Sequence, residues 1–228
     1  MIMNSTKNIG RIVGVLFLLL FISGIIVFQF LQGPVLFSKD FLTSTSANSG
    51  KIVLSTLLGV LSGIISIGIA TILFPIFKKY SLSWALLYLA FCILNFIGIS
   101  IDNFSVLSVL ELSQAYVKNT TGNADILETL GTISYEKHWW THYLSLLISC
   151  FLVFTLYYLF YATKLIPKII SVVGMIAVIL MFIEILFSIL GQGIGMNMLI
   201  PIGLIQLILP LWLIVKGFNT VEADVETA

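Results

Sequence analysis

Charge is what this sequence lacks most. Its 228 residues include 11 Lys+Arg and 10 Asp+Glu, only 9% of the chain, while 59% are hydrophobic. A soluble domain runs near a quarter charged. With a mean hydropathy of +1.13, too few polar residues remain to cover a water-exposed surface. The same balance excludes a disordered chain, which needs low hydrophobicity and high charge. Two cysteines, Cys92 and Cys150, cannot form a disulfide framework; both fall in apolar runs and read as small packing residues. A net charge of +1 with no basic stripe excludes nucleic acid as a partner. What these absences leave is an all-α integral membrane protein whose main partner is the lipid bilayer.

A helix that crosses the hydrocarbon core needs about 20 mostly apolar residues. Six stretches qualify, at about 12–31, 52–77, 84–112, 139–161, 169–190 and 198–215. They predict one integral membrane domain over 1–228, a six-transmembrane-helix bundle. The first stretch is too long for a signal-peptide core and has no small-residue cleavage pattern after it, so it reads as a retained helix. Pro75 is expected to end the second helix near Lys78 and Lys79, and Pro210 to kink the sixth. Orientation follows from the basic residues of the loops. With the N-terminus inside, Lys7, Arg11, Lys78, Lys79, Lys164, Lys168 and Lys216 lie inside, and Lys39, Lys51, Lys118 and Lys137 outside. Both termini are therefore expected in the cytoplasm. Of the long outer segments, 113–137 holds Ile126, Leu127, Leu130 and Ile133 at helical spacing, a short surface helix or an ordered loop.

Small residues let membrane helices approach. Ser55, Gly59 and Gly63 form one stripe on the second helix, Ser62, Ser66 and Ala70 another, and Gly10 and Gly14 repeat the spacing at the first. They read as packing faces within the chain, with a homodimer contact as the alternative.

Ionisable residues inside spans are expensive and mark candidate functional sites. Asp102 lies 18 residues beyond Trp84, so about 27 Å along the third helix. Glu184 lies about 22 Å along the fifth, and Glu111 sits at the outer edge of the third. His138 and His142 are four apart, on one face at the start of the fourth helix, and Asn95 and Asp102 share a face of the third. Asp102, His142 and Glu184 are the candidate catalytic residues of an outward-facing His/carboxylate cluster. His138 and His142 with Asp102 offer metal ligands, a divalent ion such as zinc, and thus a metal-dependent hydrolase or a lipid-acting enzyme. Against this, the pair lacks the Glu that follows the first His in metalloprotease helices; Trp139 stands there. Asp102 and Glu184 as proton or cation sites would instead make a small transporter, and a purely structural role is the third reading. No cofactor is predicted beyond that metal. Gly191-Gln192-Gly193-Ile194-Gly195 joins two membrane helices and follows no strand, so it reads as a turn and not a nucleotide fingerprint.

Three blocks resemble a known group. The start reads Gly10-Arg11-Ile12-Val13-Gly14-Val15-Leu16. The inner turn reads Tyr157-Tyr158-Leu159-Phe160-Tyr161, then Leu165-Ile166-Pro167-Lys168-Ile169-Ile170 and Gly174. The end reads Leu211-Trp212-Leu213-Ile214-Val215-Lys216-Gly217-Phe218. In order and spacing these resemble the bacterial domain-of-unknown-function family 4386, small integral membrane proteins. The resemblance implies a multi-pass protein of the bacterial inner membrane and assigns no reaction. The family commonly has a Glu shortly before the closing Trp; here Gln206 stands at that position, and any role of that Glu would be altered.

Overall fold

A computed structural model describes residues 2–119 and 122–219. Every described element is helical, with α1 Ile2–Ile25, a π-helix Ile26–Gln32, α2 Gly33–Leu36, α3 Phe41–Ala47, α4 Ser49–Tyr80, α5 Leu82–Val117, α6 Ala124–Thr163, α7 Lys168–Ile189, a 3₁₀ turn Met196–Leu199 and α8 Ile200–Lys216. Six of the helical stretches are long and apolar enough to cross a membrane: Thr6–Leu36, Ser49–Tyr80, Leu82–Val117, Ala124–Thr163, Lys168–Ile189 and Asn197–Lys216. Each expected span falls within one of these, to within a residue.

The second helix ends at Tyr80, beside Lys78 and Lys79 as expected, shortly after Pro75. Proline removes the bond to the carbonyl four residues back and crowds that carbonyl, so the helix runs little more than a turn past it. Two other local expectations need correction. The segment containing Ile126 and Ile133 is neither a separate surface helix nor a loop. It is the first part of the 40-residue α6, which runs unbroken from Ala124. The first span runs on through Pro34 to Leu36 by widening into a π-helix, in which the Gly33 N–H bonds the Phe28 carbonyl. A proline inside an α-helix collides with the carbonyl four residues earlier. The wider turn just before Pro34 makes room for it.

The chain forms two compact units, and the boundaries between them fall inside α1, α4, α5 and α6. One unit takes Met1–Leu19, Ile67–Phe91 and Ser149–Ala228. Its core is aromatic. Phe77 meets Tyr88 and Phe160, and Phe160 meets Phe218, each pair with ring centroids 5.8 Å apart. Such pairs add about 1 kcal/mol each beyond burial. On α7 the residues turned inward include Ser171, Gly174, Ala177 and Ser188, while Ile169, Val172, Val173, Ile176 and Ile179 are exposed. The inward face also carries Ile170, Val178, Met181 and Ile185; its small residues let a neighbour approach, while large apolar ones meet lipid outside.

The second unit takes Leu20–Ser66 and Cys92–Ile148. Val35, Leu36, Ile52, Val106, Val109 and Leu110 form its core, with Phe41 and Tyr135 packed at its edge. The expected packing stripe of α4 is filled here from within the chain. Gly59 faces the Asn103 amide, Gly63 faces the Phe96 ring, and Ser55 accepts a hydrogen bond from Gln32 Nε2 at 3.0 Å. Ser62 pairs with Ser23 at 3.0 Å. The units differ in charge. Among its described residues the first carries Lys7, Arg11, Lys78, Lys79, Lys164, Lys168 and Lys216 against Glu184 alone, whereas the second has four basic and six acidic residues.

Candidate functional site

α5 and α6 approach closely where Gly98 leaves room for Ser145 and Ile148; a Cβ at Gly98 would sit 3.3 Å from the Ser145 Cβ. One turn further along α5, on the same face, stands Asp102. Its carboxylate is filled by three donors from α6. Oδ1 accepts from His138 Nδ1 at 2.8 Å and from Thr141 Oγ1 at 2.9 Å. Oδ2 accepts from His142 Nδ1 at 3.2 Å. His138, Thr141 and His142 fall on one face because they are three and four residues apart. Hydrogen bonds to a charged group contribute about 2 kcal/mol each, and in a low-dielectric setting a fully satisfied network fixes its members in place.

The three side chains differ in access. Asp102 is 13% exposed, His138 10% and His142 34%. His142 is thus the ring through which this cluster meets its surroundings. Because each ring gives its Nδ1–H to Asp102, a neutral imidazole here keeps its Nε2 lone pair free. A lone pair on a ring oriented by a carboxylate is suited to accept a proton or to bind a metal. Asp102 itself is occupied by the two rings and Thr141, so it acts as the orienting group behind them. Among the described residues no three His, Cys, Asp or Glu side chains converge as a ready metal site.

Glu184 belongs to the other unit and is held by its own surroundings. It is buried in α7, and Ser188 Oγ, one turn on, donates to its Oε1 at 3.1 Å. The backbone N–H groups of Ile194 and Gly195 donate to Oε2 at 3.1 and 3.2 Å. The glycine-rich turn therefore does cradle an anion with consecutive backbone amides, and the anion is the chain's own carboxylate. Gly191 and Gly195, at φ +74° and +127°, supply the backbone path that only glycine takes readily. Glu184→Ala is expected to free this turn, speeding amide exchange at Ile194 and Gly195 about tenfold. Unchanged exchange at both amides in that variant, followed by NMR or mass spectrometry, would refute the staple.

The remaining polar candidates are simpler. Glu111 is exposed, and Asn95 and Gln206 are half-buried. Cys92 and Cys150 are buried. Two participants escaped the sequence reading, Thr141 and Asn103. Asn103 is buried beside Asp102 and donates to the Thr56 carbonyl at 3.3 Å, tying α5 to α4 next to the cluster. The signal for Thr141 was its place between the two histidines on their common face.

Comparison with known families gives one match. The model of a family described as "Domain of unknown function (DUF4386)" covers residues 12–217. No curated protein and no solved structure matches this chain.

Proposed function

The chain belongs to the family of domain of unknown function DUF4386, and on that premise we propose a multi-pass protein of the bacterial inner membrane whose working site is the cluster of Asp102, His138 and His142. Both termini lie in the cytoplasm and the cluster opens outward. Seven basic residues in the inner segments against four in the outer ones support that orientation, since lysine and arginine concentrate on the cytoplasmic side.

The reaction is metal-assisted hydrolysis of a lipid or another amphiphile that reaches the site from the bilayer. One observation carries this reading: a single carboxylate accepts from both imidazole Nδ1 atoms. Metal-ligating histidines commonly give their second N–H to such an outer carboxylate. The two Nε2 atoms, on residues four apart on one helix, would be the protein donors to a divalent ion such as zinc. Such an ion would supply a bound water activated near neutral pH, with positions left for substrate. His142, the more exposed ring, borders the approach. The proton or cation transport reading is less well supported, because it needs Asp102 and Glu184 as available carboxylates. Both are occupied by donors of the chain itself.

The test is metal content. Purified protein equilibrated with micromolar zinc and then desalted should retain about one ion per chain. His142→Ala should retain almost none. Equal content in the two proteins, or none in either, would overturn the metal site.

A further inference from the structure

The first unit contains an open cavity of about 370 Å³ lined by Lys7, Trp212, Lys216, Phe218 and Asn219. Nothing in the proposed hydrolytic site uses it. We propose that this cavity binds the phosphate group of an anionic phospholipid at the cytoplasmic face of the membrane. That the face is cytoplasmic rests on the orientation proposed above; that the cavity takes a lipid phosphate does not.

The cavity is built from the two ends of the chain, and its walls are fixed. α8 ends at Lys216, and Gly217, at φ +71°, turns the chain aside while its N–H caps the Leu213 carbonyl. A side chain at Gly217 would strike the Lys7 backbone carbonyl, so the N-terminal helix lies directly against this turn. Phe218 is 2% exposed and packs on Phe160 and on Gly10. Asn219 is tied twice, its N–H to the Leu165 carbonyl at 2.8 Å and its Nδ2 to the Lys164 carbonyl at 3.1 Å. The lysines are therefore brought to one rim by a turn that the rest of the unit holds in place.

The chemistry of the rim selects the ligand. Lys7 and Lys216 are both exposed, and neither has a carboxylate partner among the described residues. Two such ammonium groups flanking one cavity suit an anion with several acceptor oxygens. Asn219 keeps a second amide hydrogen for it, and Trp212 offers an indole N–H. Trp212 also marks the interfacial depth at which headgroups lie. Leu211 and Val215, exposed on the same helix, provide an apolar surface along which acyl chains can lie. Basic pockets between membrane helices on the cytoplasmic side recognise anionic headgroups on this principle.

Native mass spectrometry of the purified full chain, with equal amounts of phosphatidylglycerol and phosphatidylcholine, tests the proposal. Phosphatidylglycerol should bind at least tenfold more tightly, and Lys7→Gln with Lys216→Gln should abolish most of that preference. Lys78→Gln with Lys79→Gln removes two charges of the same unit that do not line the cavity, and should preserve it. Equal binding of the two lipids would overturn the proposal, as would an equal loss in both double variants, which would mean diffuse attraction. Inorganic phosphate should compete weakly. Competition at the same concentration as the lipid would mean a soluble-anion site and would overturn the lipid assignment. None of these outcomes depends on the metal measurement at His142.

Discussion

Asp102→Asn is expected to reverse the tautomer of one histidine. An aspartate carboxylate accepts on both oxygens, and here it takes His138 and Thr141 on one and His142 on the other. An asparagine amide accepts on one side and donates on the other. The ring facing the amide nitrogen must then present a bare Nδ1 and carry its proton on Nε2, where the metal lone pair would otherwise be. ¹⁵N spectra of histidine-labelled protein should show both rings protonated on Nδ1 in the wild type and one of them switched in the variant. Zinc retention should fall with it. Asp102→Ala goes further, since it leaves both imidazole N–H groups without an acceptor, one of them on the 10%-exposed His138, while Thr141 keeps the His138 carbonyl. A loss of about 3 kcal/mol is expected, visible as a lower melting temperature in detergent. Unchanged tautomers in Asp102→Asn together with unchanged stability in Asp102→Ala would sink the shared-carboxylate account.

Gly10→Val should be the most damaging single change outside that cluster. A Cβ at Gly10 would strike the backbone N of Phe218 and approach the Gly217 carbonyl carbon to 2.9 Å. Backbone cannot swing aside as a flexible side chain can. To fit valine, α1 must back away from the C-terminal turn, which pulls Phe218 out of its place against Phe160. Overpacking of this kind costs about 3 kcal/mol. The aromatic contacts that Phe218 loses would add to that. The expected result is little monodisperse protein on size exclusion and a much lower melting temperature. Gly68→Ala is the matched control: nothing lies within 4 Å of a Cβ there. In mid-helix, alanine is favoured over glycine by about 1 kcal/mol, so that variant should be at least as stable as the wild type. Comparable behaviour of the two variants would mean that the α1 contact is not tight.

Much of this architecture could be read from hydrophobicity alone, because a bilayer demands long apolar helices and little else satisfies their backbone polar groups. The cluster on α5 and α6 was readable for a related reason. A carboxylate and two histidines in apolar runs are costly, and phase put the histidines on one face. Glu184 shows the limit. Rise per residue gives a height along the helix but not the direction a side chain faces. Similar heights therefore grouped Glu184 with Asp102, whereas its carboxylate is satisfied by Ser188 and the following turn. Thr141 was passed over because a threonine in a membrane helix often bonds its own backbone, as Thr141 also does to the His138 carbonyl at 3.0 Å. The stretch 113–137 stays open between a short surface helix and an ordered loop on sequence alone, because hydropathy reports what lies in lipid; helix outside the hydrocarbon core has no need to be apolar. The cavity at Lys7 and Lys216 joins residues from opposite ends of the chain, a proximity that local pattern does not encode.

The wide turn at Ile26–Gln32 has a consequence for insertions and deletions. A π-turn holds one residue more than the α-turn it replaces. Losing one residue within it closes the turn to ordinary α-helix and leaves its two ends on nearly their present faces, so that Ser23 can still meet Ser62 and Gln32 can still meet Ser55. A loss between Gly14 and Ile22 has no such slack. It rotates everything before it by about 100° and carries Gly10 and Gly14 off Phe218 and Leu213. The length of this first helix is therefore negotiable near Pro34 and fixed near the N-terminus.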